Sequence, residues 1–511
     1  MCLINKIGEW SAALDRKRML GAALLFPLPA LVFVVFAFFH HGESYVTSDT
    51  PGYMYFSPDR PVGYPLFLAL TKAIFGNYTT AIYLQLGLLC AALWLVAVSF
   101  YIWSGSFWKS AVLELAFVLN PGLFLMAKQL MSDGLSAACI ALFIAFVLLG
   151  AKGGKPNWGW GLIVLTCFSI LVRPVNLALM PAAFLVLWLF NQERKMLRWT
   201  QIGMLAIGFI VAQQTAPLVQ QIRGETAPIS DPLARGLFQK TLFRQWPRDA
   251  QANACEGEYI AEKTREIDLY LAKMPKDLSP YLYEKISGYL RFQVLIPGLI
   301  ERHGFKHFSD PDDILMCYAL RRMMSDPVYF AASAAEQFWY LLTYSTYVSE
   351  ETHDRLDRYL KENPVPLPPT TERKDKEIAF DARAAEELEI DPNIFASEGV
   401  DVEPPKARPQ LLANGLRVFQ VAGTLIMFLG IFFLFSKRKN EADAASWTII
   451  GILGIAFLGE MSMTAIVEIA FPRYVYPLWP ILCTATALAL LSFGPALLKK
   501  VGTLIPKKGF F

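Results

Sequence analysis

Apolar stretches near the length of a bilayer crossing recur toward both ends of this chain, with a long polar interval between them. They fall at about 20–39, 80–103, 110–127, 134–150, 158–172, 177–190, 199–217, 413–435, 446–468 and 474–494. A hydrocarbon core takes about 20 residues of helix. Lipid offers no partner to exposed backbone groups, so each run is expected to be a helix. The pattern therefore predicts an all-α membrane protein of about 10 transmembrane helices. Three parts follow: an N-terminal membrane module of about seven helices over 1–217, a large mostly helical region over 218–412, and a C-terminal membrane module of about three helices over 413–511.

The weak place in this scheme is 158–190, where Arg173-Pro174 interrupts the run. A helix over 158–172 covers only about 22 Å, short for a single crossing. Both flanks are basic, so an even number of passes is required. Arg173 is accordingly expected at the outer face, between two short or tilted spans.

Composition supports the membrane class: 54% of the 511 residues are hydrophobic and 14% aromatic. The net charge of +3 implies no nucleic-acid partner. Its distribution says more. The N-terminus, Lys109, Lys152 with Lys155, Arg194 with Lys195 and Arg198, Lys437 with Arg438 and Lys439, and the tail lysines 499, 500, 507 and 508 mark alternate connections. Placed in the cytoplasm, with both termini, they satisfy the positive-inside rule. The interval from Arg223 to Arg408 holds 24 basic and 32 acidic residues, a net −8, and is expected outside. Within it EGEYIAEKTREIDLYLAKM and DPVYFAASAAEQFWYLLTYSTYV read as helices, the second suited to lie on the membrane surface, and ENPVPLPPTTERKDKE reads as an extended linker. The first apolar run ends in AFFHHGES without a small-x-small cleavage site, so it is expected to stay as a span, with room for a short surface helix before it. Of seven cysteines, five lie in or beside apolar segments, while Cys255 and Cys317 lie in the polar interval and can pair if that interval is outside.

Candidate chemistry gathers at the outer connections. The first, SDTPGYMYFSPDRPVGYP, holds Asp49, Tyr53, Asp59, Arg60 and Tyr64 among four prolines that pre-shape it. Lys128 and Asp133 mark the second, Arg173 the third, Arg417 the outer end of the eighth run, and Glu468, Arg473 and Tyr474 the last. Each has a plainer reading. Asp59 fits a solvated loop, Asp133 fits a helix N-cap in SDGLSAA, and the arginines fit snorkelling anchors. Glu460 sits mid-run, where a carboxylate is costly and often functional. His40 with His41, and His303 with His307, are pairs without a visible third metal ligand, and Asn77-Tyr78-Thr79 is a formal glycosylation sequon.

An Asp with a Tyr four residues on, then R-P-x-x-Y-P, after the first span, resembles the GT-C glycosyltransferase superfamily, most nearly the protein O-mannosyltransferases and lipid A aminoarabinose transferases. NPGLFLMAKQLMSDGLSAA, LVRPVNLALMP and FPRYVYPLWP are similar to further elements of that layout, in the same order. Thr50 follows Asp49 where relatives often carry a second acid. The resemblance implies a GT-C-like architecture with a large mostly helical extracytoplasmic region, set in a bacterial inner membrane. It implies transfer of a sugar from a polyprenyl-phosphate donor to a hydroxyl of a glycan, lipid or protein acceptor. Asp49 would be the base of an inverting displacement. Arg473 would be the first candidate to stabilise the departing phosphate, followed by Arg173, Arg417 and Lys128. Tyr53, Arg60, Tyr64 and Tyr474 would line the site, and Asp133 would orient substrate or hold a metal. No resident cofactor is implied, and a divalent cation is left open. Two other classes compete: a polymerase or ligase of lipid-linked glycan, and a transporter, for which Glu460 and Asn120-Pro121-Gly122 speak.

Overall fold

The computed structural model describes residues 16–39, 46, 49–57, 60–153, 157–223, 232–242, 255–272, 294–305, 310–343, 383, 388, 410–435, 441–467 and 472–504. Among them the regular structure is helical throughout, with no strand. The helices are α1 (Arg16–Leu25), α2 (Pro27–Val34), α3 (Thr50–Met54), α4 (Gly63–Phe75), α5 (Thr80–Ser104), α6 (Phe107–Val118), α7 (Pro121–Ala127), α8 (Ser132–Ala151), α9 (Asn157–Val172), α10 (Leu179–Phe190), α11 (Lys195–Ile222), α12 (Pro232–Leu242), α13 (Gly257–Leu271), α14 (Asp312–Ser325), α15 (Pro327–Thr343), α16 (Gln410–Leu434), α17 (Glu441–Val467) and α18 (Trp479–Leu504).

Seven helical segments among the described residues are long and apolar enough to cross a membrane, or eight if the bent pair α6–α7 is one span. This is fewer than the ten runs read from hydropathy. The run at 110–127 is broken by 64° at Asn120-Pro121, because proline cannot continue the hydrogen-bond ladder of α6. The runs at 158–172 and 177–190 form α9 and α10 on either side of Arg173 and a 3-10 turn over Pro174–Ala178, each helix short for a crossing. The apolar helix α4 was not among the expected runs.

The core lies between α5, α8, α17 and α18, where Leu86, Leu93, Phe143, Ile144, Trp447, Leu453, Phe457 and Leu482 are buried. By contrast α11 is mostly uncovered, with Ile207, Ile210 and Val211 exposed, as a lipid-facing helix requires. Helix ends follow local chemistry. The Asn77 side chain accepts from the Thr80 N–H at 2.9 Å in the turn that leads into α5, a structural role for the sequon residue. Gly105, at φ +71°, closes the same helix by donating its N–H to the Tyr101 carbonyl.

In the 218–412 interval, α12, α13 and α14 enclose a small core of Leu237, Phe238, Ile260, Leu295, Leu299 and Leu315. The buried Arg235–Asp312 pair at 2.8 Å ties α12 to α14. Cys255 and Cys317 are joined in a disulfide, their Cα atoms 5.8 Å apart. DPVYFAASAAEQFWYLLTYSTYV begins as α15, packed on α16 and α17. The linker ENPVPLPPTTERKDKE and residues 1–15 lie outside the described residues.

Candidate functional site

Four connections meet at one end of the bundle. Gly63 permits the first approach: a Cβ there would stand 2.6 Å from the Leu171 backbone, so the start of α4 lies directly against the end of α9, two residues from Arg173. Gly134 permits the second, since a Cβ would stand 2.7 Å from Ala127 Cα, drawing α8 onto α7. The turn over Pro472–Leu478 packs on α7 and α8, with the Tyr476 ring against Gly122.

The first connection is bolted down rather than loose. Pro51 falls in the first turn of α3, where its missing N–H costs no hydrogen bond. Helix α3 forms directly after Asp49. The chain then turns through Phe56 at φ +56°, an uncommon left-handed conformation for an aromatic residue. The Thr50 hydroxyl donates to the Leu130 carbonyl at 3.2 Å, so the residue found in place of a second acid fastens the loop to the second connection. Tyr53 Oη and Ser132 Oγ lie 3.0 Å apart. The Tyr64 ring meets Tyr53 edge to face at 5.0 Å, and its hydroxyl donates to Gln85 Oε1 at 2.9 Å. Gln85 Nε2 in turn donates to the carbonyls of Ala127 at 2.7 Å and Gln129 at 2.5 Å.

Two ion pairs stand in this frame. Arg60 Nη2 donates to Asp49 Oδ1 at 2.6 Å, and its guanidinium lies over the Tyr53 ring at 5.3 Å. Gly52 leaves it room, since a Cβ there would come 3.3 Å from Arg60 Nε. Arg173 Nη1 donates to Asp133 Oδ1 at 2.8 Å. Their exposures differ: the Arg60 and Asp49 side chains are 28% and 21% exposed, whereas those of Arg173 and Asp133 are 9% and 5% exposed and buried. Asn176 supports the second pair from below, donating to Ser136 Oγ at 3.0 Å and to the Ser169 carbonyl at 2.9 Å.

Tyr53 joins the two. Burial raises its phenol above the usual value; Arg60 opposes this, while the charges of Asp49 and Asp133 add to it. One side chain thus senses both carboxylates, 84 positions apart in sequence. It keeps its proton at neutral pH and serves as a hydrogen-bonding group, not a base.

Of the residues expected from sequence, Asp49, Tyr53, Arg60, Tyr64, Asp133 and Arg173 come together. Asp133 does not stand at the N-cap of α8, which is Met131 without a side-chain cap. It lies in the first turn, where its charge suits the helix dipole, and pairs with Arg173. Lys128 ends α7 beside the carbonyls that Gln85 holds. Arg417 stands on α16, three positions before Gln420, which donates to the Leu341 carbonyl on α15; it belongs with that helix group. The backbone of Arg473 and Tyr474 lies in the 3-10 turn, and their side chains lie outside the described residues, as do Asp59, Glu468, His40, His41 and His307. His303 lies 3.2 Å from Glu256. Among the described residues no three His, Cys, Asp or Glu side chains gather to hold a metal, so the open divalent cation gains no ligand set. Sequence reading passed over Gln85 and Ser132. Gln85 was signalled by being a buried amide in an otherwise apolar helix.

No family model matches the chain, and no curated protein matches it. A solved structure that it resembles is the crystal structure of ArnT from Cupriavidus metallidurans bound to undecaprenyl phosphate. The identity is 14%, over 96% of this chain and 80% of that one, with a TM-score of 0.31, below the range of a shared fold.

Proposed function

We propose that this chain is a membrane glycosyltransferase that moves a sugar from a polyprenyl-phosphate donor to an acceptor hydroxyl at the outer face. The observation that carries this reading is the half-exposed Asp49–Arg60 pair set beside the more deeply placed Asp133–Arg173 pair, with Tyr53 between them. The order of the sequence elements that resemble the GT-C superfamily supports it. The Cys255–Cys317 disulfide supports an outer placement of the 218–412 interval, because such bonds persist in oxidising compartments.

Asp49 accepts the proton of the acceptor hydroxyl as its oxygen attacks the anomeric carbon. The bond from that carbon to the phosphate oxygen breaks, and polyprenyl phosphate leaves with the electron pair. Arg60 holds Asp49 in the resting site and takes up the leaving phosphate, whose growing charge a guanidinium stabilises. As it turns to the phosphate, Asp49 is freed to act as base. Arg473 is a second cation for the phosphate, Tyr53 and Tyr64 wall the site, and Asp133 orients the donor. The donor tail lies between helices, and the reading derives no step through a metal.

One observation favours transport instead. Glu114 and Glu460 are buried carboxylates within membrane helices, each with an oxygen that has no hydrogen-bond partner among the described residues. Purified protein in liposomes separates the two. Transfer of labelled sugar from a polyprenyl-phosphate donor, without flux of solute, is expected. Flux without transfer would replace the proposal.

A further inference from the structure

Glu460 has no part in the mechanism above, yet it is placed next to it. It stands on α17 seven positions before Val467, about 10 Å of helix from the end. The residue is 3% exposed, and Oε1 has no hydrogen-bond partner among the described residues. The adjoining Gly459 lies against Ala178, where a Cβ would come 3.0 Å from the alanine methyl. So α17 is seated on the 3-10 turn that begins directly after Arg173. The charge of Arg173 acts on Glu460, while its Nη1 is held by Asp133 at 2.8 Å. A guanidinium carries five donors in a planar fork and serves two carboxylates readily. A buried carboxylate oxygen without a donor is costly, and more so within a membrane.

We propose that Arg173 has two carboxylate seats, Asp133 and Glu460, and that Glu460 is a positioning residue. When substrate engages Asp133, the guanidinium turns to Glu460 Oε1, and Asp133 passes to a sugar hydroxyl of the donor. The identity of that substrate rests on the transferase reading; the exchange between seats does not.

The test is a melting cycle on the full chain in nanodiscs: wild type, Glu460→Gln, Asp133→Asn and the double variant. With Asp133 present, Glu460→Gln removes a carboxylate that lacks a donor, and the melting temperature should hold or rise. With Asp133→Asn, Arg173 loses its Asp133 seat and the Glu460 seat gains weight, so the same change should lower melting by about 3 °C. Asp133→Ser replaces Asp133→Asn if the latter does not accumulate, since it too removes the first carboxylate seat. Equal shifts in both backgrounds, or none in either, would overturn the two seats. In turnover, Glu460→Gln should raise KM for a polyprenyl-phosphate sugar about tenfold with kcat within about twofold, and Glu460→Asp should recover part of it. An unchanged KM would overturn the positioning role. A wild type that transfers no sugar but shows the background-dependent shift defeats the transferase reading and sustains the seats.

Discussion

Replacing Gln85 by leucine removes the fastening on which the first connection depends. Gln85 is fully buried and makes three hydrogen bonds: from the Tyr64 hydroxyl at 2.9 Å, and to the carbonyls of Ala127 and Gln129 at 2.7 and 2.5 Å. Leucine has similar bulk, so little cavity is opened. The Gln129 carbonyl keeps the Met131 N–H at 2.8 Å. The Tyr64 hydroxyl and the Ala127 carbonyl lose the Gln85 partner while buried, at about 1–3 kcal/mol each, which puts the loss near 3 kcal/mol. With a melting entropy of about 2.1 cal/mol/K per residue, that lowers melting by about 3 °C if the chain unfolds as one unit. The effect reaches the site through rings. Tyr64 packs on Tyr53 at 5.0 Å, and Tyr53 carries the Arg60 guanidinium at 5.3 Å. A misplacement of about 1 Å costs up to about a hundredfold in rate, so kcat/KM for sugar transfer should fall 10- to 100-fold. Thermal melting in detergent and a radiolabelled-sugar transfer assay read the two effects. A Gln85→Leu protein that melts within about 1 °C of wild type and transfers sugar at full rate would refute the linkage from Gln85 to Asp49.

Gly63→Ala should cost about 1–3 kcal/mol and most of the activity, because its methyl meets the Leu171 backbone at 2.6 Å and pushes α4 off α9; melting and transfer check it. Cys317→Ser should expose the 218–412 interval to limited proteolysis, since the disulfide that spans 62 positions is lost, while α5 and α8 stay protected. Tyr53→Phe should leave the pH profile of transfer unchanged below about pH 9, because burial holds the phenol protonated there. The sign follows from linkage: with the folded value raised, the stability this phenol contributes is present below about pH 10 and lost above it, as the unfolded chain ionises first.

Hydropathy located the long spans well, because lipid leaves the backbone no choice but helix and α5, α8 and α17 are apolar along most of their length, Gln85 and Glu460 apart. It counted 110–127 as one run, while Asn120-Pro121-Gly122 stood out as a broken-helix signal, and the chain bends by 64° there. Arg173-Pro174 was legible as an interruption for the same reason, a fixed φ and a missing donor. The candidate site was legible as a set of residue types at matching connections. The pairings were not: Asp133 with Arg173 depends on how α8 packs on α9, and Asp49 with Arg60 on the left-handed turn at Phe56, neither of which spacing along a chain encodes. Asp133 illustrates the limit, since S-D-G before an apolar run is equally good chemistry for a cap and for a first-turn ion pair. Cys255 and Cys317 needed only oxidation and proximity, and proximity came from α13 and α14 sharing a core that no local pattern announces.

The central claim is that Asp49 takes the acceptor's proton, and the Asp49→Asn variant tests it in one turnover. Protein reconstituted with a polyprenyl-phosphate sugar and acceptor should show the transfer step slowed about 10²- to 10⁴-fold, with melting close to wild type, since the Tyr53–Ser132 and Thr50–Leu130 contacts that hold the loop remain. Single-turnover transfer at the wild-type rate by a folded Asp49→Asn protein would contradict it.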